Sequence, residues 1–136
     1  MLAVIVGVIA GSAINMGLVI AGSQLIPPPN GVDVTDVESI KAHLHLFEFR
    51  HFVAPFVAHA VGTLVGASVA VFIAVSHKLK LGMLIGVLFL IFGTINAFML
   101  PSPAWFVVVD LIGAYIPMAW IGTRLTGKEY KPPSEA

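Results

Sequence analysis

Four of the five histidines of this 136-residue chain fall in the stretch HLHLFEFRHFVAPFVAH, His43 to His59, together with Glu48 and Arg50. Imidazole and carboxylate side chains can hold a divalent metal or pass a proton near neutral pH. Glu48 and His51 spell E-x-x-H, a spacing that puts both side chains on one side of a helix. With His45 they make a candidate Zn²⁺ or Cu²⁺ site, the only cofactor the sequence suggests. A di-iron centre would need a second E-x-x-H and two more carboxylates, and a haem held by two imidazoles would need a second buried histidine. A different set lies scattered through apolar sequence: His59, Thr63, Asn96 and Asp110, with Gln24 nearer the edge of its apolar segment. These are candidate ligand or proton groups. An imidazole that donates one N–H to a carboxylate has its tautomer fixed, which leaves its other nitrogen for a proton or a ligand.

The elements that must position these residues follow from composition. The chain is 58% hydrophobic and 10% charged, where soluble domains carry roughly 25% charged residues. It has the make-up of a protein built for lipid. A formal net charge of zero with no basic block gives no footprint for nucleic acid. The absence of cysteine excludes disulfides, thiolate metal sites and thiol nucleophiles.

A bilayer core takes about 20 apolar residues per helix. Four segments reach that length: 2–26, 52–76, 81–100 and 104–125. The expected fold is therefore all-α, a four-helix bundle integral to the membrane, in a single domain with a tail over 126–136. Short connections, SHKLK and PSP, join the last three helices as hairpins, so only the first loop, 27–51, has room for structure of its own. If the N-terminus is inside, Lys78, Lys80, Arg124, Lys128 and Lys131 lie on the inner side against Lys41 and Arg50 outside. The excess favours both termini in the cytoplasm.

Within the loop, PPPNG ends the first helix, because proline lacks an amide donor and Asn-Gly favours a turn. Thr35 and Glu38 then form a capping-box pattern. Val37, Ile40, Leu44 and Phe47 recur at helical spacing, which predicts an amphipathic helix on the bilayer surface or capping the bundle. His43 and His45 fall away from that face and are expected to be solvated. Glu48, Arg50 and His51 form a polar collar where the second span begins, with Pro55 in its first turn. QLIPPPNGVDVTDVESIKAHL followed by PFVAHAVGTLVGA resembles small four-span bacterial membrane proteins with a proline-triplet loop after the first span. The resemblance implies a bacterial inner-membrane protein and carries no activity with it.

Three glycine pairs, Gly7 and Gly11, Gly62 and Gly66, Gly82 and Gly86, have the spacing that lets helices approach closely in lipid, within a bundle or an oligomer. His59 shares its helical face with Gly62 and Gly66, Asn96 with Gly86 and Gly93, and Asp110 with Gly113 and Pro117. The polar groups thus point inward. At a rise of roughly 1.5 Å per residue, His59 lies about 11 Å from the outer boundary, Asp110 about 9 Å and Asn96 about 6 Å, which is one layer. Asp110 is the costliest residue to insert and His59 is its natural partner. Pro117 leaves the Gly113 carbonyl without its helical donor, which predicts a kink or a polar partner there.

Two functions of different class fit. One is a structural or accessory membrane protein that forms a homo-oligomer or binds a larger membrane protein, with the His-Asp layer serving packing. The other is a proton- or metal-linked transporter or redox unit that uses the layer from the periplasmic side. An enzyme is the least supported class, since no nucleophile stands beside an evident base.

Overall fold

The computed structural model describes residues 1–100 and 102–127. Among them every regular element is a helix: α1 Leu2–Leu25, α2 Val37–His43, α3 Phe49–Ile73, α4 Lys78–Met99, α5 Ala104–Gly113 and α6 Ile116–Thr126. Four stretches are long and apolar enough to cross a membrane: α1, α3, α4, and α5 with α6 counted as one. Most of the expected tail, with Lys128 and Lys131, lies outside the described residues.

Helix α3 runs through the middle and carries most of the core, with Ala58, Ala67, Ala70 and Val71 fully buried. Its small residues are what let three helices pack on it. A Cβ built on Gly7 would stand 2.6 Å from the Gly66 carbonyl oxygen, and one on Gly11 would stand 2.6 Å from that of Gly62. The α1 and α3 backbones are therefore in direct contact. On the other side of α3, a Cβ on Gly122 of α6 would lie 2.5 Å from the Leu64 carbonyl oxygen, and one on Gly86 of α4 would lie 2.6 Å from the Ala119 Cβ of α6. The glycine pairs are thus used within one chain.

The end of the bundle that carries α2 and the α4–α5 connection, here the loop end, departs from expectation in two ways. Helix α3 begins at Phe49 rather than Phe52, because Glu48 and His51 close its first turn. The Glu48 amide donates to His51 Nδ1 at 2.8 Å, and the His51 amide donates to the Glu48 carbonyl at 2.9 Å. The earlier start moves Pro55 past the first turn, so the His51 carbonyl has no helical donor. An aromatic group, Phe52 against Trp105 and Phe106 with Phe49 stacked on Trp105, seats this turn on α5. Replacing His51 with alanine should cost about 1 kcal/mol of local stability. Amide hydrogen exchange at Phe49 to Phe52 would read it, and unchanged protection there would exclude the capping role.

The second departure concerns the loop helix, which is capped by Asp36 rather than Thr35: the Asp36 carboxylate accepts from the Glu38 amide at 3.1 Å. Thr35 instead turns back on Asp33, donating to the same carboxylate oxygen from its amide and its hydroxyl. Those two bonds hold the Asp33 carboxyl below its ordinary value of 3.8. Helix α2 spans only Val37–His43 and continues as a 3-10 turn over Leu44–Leu46.

The last long segment is two helices, with the break where Pro117 was expected to cause a kink. Helix α5 stops at Gly113, and α6 starts at Ile116 with Pro117 in its first turn. A proline in that position removes the amide that would have bonded Gly113, and the break falls there.

Candidate functional site

Helix α3 brings His59, Thr63 and Gly62 onto one face, and that face forms one wall of a cavity of about 430 Å³. Helix α1 supplies Asn15 and Met16, and α4 supplies Phe92, Gly93 and Asn96. Near the middle of the bundle α1 and α4 are drawn toward the same part of α3: a Cβ on Gly11 would meet the Phe89 ring at 2.9 Å, and one on Gly7 would meet Ile85 at 3.2 Å. Toward the loop end the cleft between them is open, and Met16 and Phe92, which line it, are 49% and 51% exposed. The roof is the loop. Val37, Ile40, Leu44 and Phe47, the apolar face read from the sequence, all line the cavity.

Behind the α3 wall sits the buried charge. His59 Nδ1 lies 2.8 Å from Asp110 Oδ1 and 3.0 Å from Oδ2, so its N–H is donated to the carboxylate. The Tyr115 hydroxyl donates to Asp110 Oδ2 at 2.9 Å, and the Tyr115 ring stacks on His59 with centroids 5.9 Å apart. The Asp110 side chain is 7% exposed and that of His59 17%. The carboxylate therefore faces protein, while the imidazole faces the cavity with Nε2 free of any partner among the described residues. Thr63, buried one turn further on, donates its hydroxyl to the His59 carbonyl at 2.8 Å.

Of the sequence candidates, His59, Asp110, Thr63 and Asn96 come together here, with Asn96 exposed on the opposite wall and His59 on the cavity face. Gln24 does not join them. It is exposed, and its neighbours Gly22 and Ser23 line the cavity instead. Nor do His45, Glu48 and His51 converge: His45 is exposed, Glu48 is exposed and paired with Arg50 at 3.0 Å, and His51 uses Nδ1 as the cap of α3. Among the described residues no three His, Asp or Glu side chains gather closely enough to hold a metal ion.

Sequence reasoning missed two residues. Tyr115 is five positions from Asp110, about 140° around a continuous helix and so off its face. The break between α5 and α6 is what lets its hydroxyl reach back, and Gly93 makes the room: a Cβ there would lie 2.5 Å from Tyr115 Cζ. Asn15 is the second. Its Oδ1 is buried with no hydrogen-bond partner, and the residue lines the cavity. An orphaned polar atom beside a cavity was the signal, and it is visible only in three dimensions.

Comparison with protein-family models, with curated proteins and with solved structures gives no match.

Proposed function

We propose that this chain is a multi-pass inner-membrane protein, with both termini in the cytoplasm, that binds a small molecule in the cavity from the outer side and exchanges a proton with it through His59. The observation that carries the proposal is the orientation of the dyad. A pair that served packing alone would bury both side chains and leave nothing beside them. Here His59 has one nitrogen engaged by a buried carboxylate, and its side chain lines a cavity of ligand size. Asp110 holds the imidazole in one tautomer and leaves its other nitrogen for a proton or a ligand, which is what a proton carrier requires. The dyad also ties α3 to α5, as an accessory or partner-binding protein would need, but that role leaves the cavity without explanation. No metal enters this proposal.

Nitrogen NMR of the ¹⁵N-histidine-labelled protein in bilayers tests it. His59 is expected to hold a proton on Nδ1 and to exchange its ring proton with bulk deuterium oxide by way of the cavity. A His59 whose ring proton is shielded from exchange with the bulk would end the proton-exchange reading.

A further inference from the structure

We infer that the ligand of this cavity is an amphiphile with a neutral head bearing a hydroxyl donor, and that it enters sideways between α1 and α4. The inference rests on the proposed binding role of the cavity and specifies its occupant. The polar atoms of the α3 wall have a consistent sense. With Nδ1–H held by Asp110, neutral His59 offers only the Nε2 lone pair. The Thr63 hydroxyl proton is engaged by the His59 carbonyl, and the Tyr115 hydroxyl proton by Asp110, so each offers only an oxygen lone pair. Such a wall seeks a donor. A hydroxyl satisfies it, whereas an ether oxygen or a carbonyl would face lone pair against lone pair. Beside Gly62, the unpartnered Oδ1 of Asn15 is a further acceptor for the proton of the same head group.

Charge narrows the head further. No lysine or arginine lines the cavity among the described residues, so a phosphate or carboxylate head would be stranded without a counter-charge. The one buried carboxylate is already bonded to His59 and Tyr115, so an ammonium head has no free partner either. The rest of the lining is mostly apolar, with Asn96 and the hydroxyls of Ser12 and Ser23 among it, and the half-exposed Met16 and Phe92 flank the cleft between α1 and α4. A chain attached to the head can lie in that cleft.

The test uses 4-dodecylphenol and its methyl ether, 4-dodecylanisole, in which a methyl group replaces the hydroxyl proton. Binding to the detergent-purified full chain is read by native mass spectrometry, with circular dichroism as the folding control. The phenol is expected to bind roughly tenfold more tightly than the ether, the effect of one well-made hydrogen bond. His59→Leu should abolish the difference. Met16→Trp, which fills the cleft without touching the dyad, should weaken both probes and so guards against a His59→Leu protein that does not fold. Equal binding of phenol and ether to the wild-type chain would overturn the hydroxyl inference and leave the cavity a binding site. Binding of neither would overturn the proposed function together with it.

Discussion

Replacing Asp110 with alanine is expected to lower the stability of the detergent-solubilised protein by about 3–5 kcal/mol, the usual cost of removing one partner from a buried charged pair. Two donors lose their acceptor at once, the His59 Nδ1–H at 2.8 Å and the Tyr115 hydroxyl at 2.9 Å. Water does not easily replace it, because Asp110 and Tyr115 are buried. Asp110→Asn keeps the shape but offers one acceptor oxygen in place of two and turns an NH₂ toward an existing donor. Its cost should be near 2 kcal/mol, and His59 should adopt the opposite tautomer. Tyr115→Phe removes one bond and leaves the carboxylate its imidazole, for about 1 kcal/mol. Because the three groups share one network, the Asp110→Ala, Tyr115→Phe double variant should cost less than the sum of the singles. Loss of helical circular dichroism on titrating dodecyl sulfate into a mild detergent measures all four. An Asp110→Ala protein as stable as wild type would mean that the dyad is not a structural tie.

The same change made at two glycines of α1 should act with opposite sign. At Gly11 an added Cβ would meet the Gly62 carbonyl oxygen at 2.6 Å and the Phe89 ring at 2.9 Å. The nearer neighbour is backbone, so no rotamer change relieves the clash, and α1 must move away from α3. Gly11→Ala is expected to destabilise by about 1–3 kcal/mol, the usual range for overpacking. Six residues on, Gly17 has nothing within 4 Å of its Cβ position. Gly17→Ala should leave packing intact and stabilise the helix by up to about 1 kcal/mol, the difference in helix propensity. The same detergent titration reads both. Should the two variants shift alike, α1 and α3 do not meet along Gly11 and Gly62 as described.

Much of the site was legible before any coordinates. Asp110 in an apolar run demands a partner, and among the residues within the long apolar segments only His59 offers an imidazole on a small-residue face. Helical projection placed both on inward faces, and their hydrogen bond follows. The apolar face of the loop helix was also readable, since its spacing is local to a few turns. Harder was its extent: Leu44 to Leu46 tighten into a 3-10 turn, which no periodicity of apolar residues distinguishes from an α-helix. The capping of α3 was misjudged for a related reason. Glu48 and His51 at helical spacing suit a metal as well as a cap, and only the position of the first helical residue decides between them.

The sequence by itself determined that four apolar helices form and that His59 and Asp110 lie on their small-residue faces, because each follows from composition or from the fixed 3.6-residue period. What the tertiary structure decided is where the chain leaves those periods and where space remains. A kink at Pro117 was readable in the sequence, but not that the break swings Tyr115 onto a carboxylate that a straight helix would have kept from it. Helices α1 and α4 converge near Gly11 and part toward the loop end, and that divergence leaves the cavity and orphans Asn15 beside it. Helix axes and voids are set by how several side chains pack at once. No residue type or spacing along the chain encodes them separately.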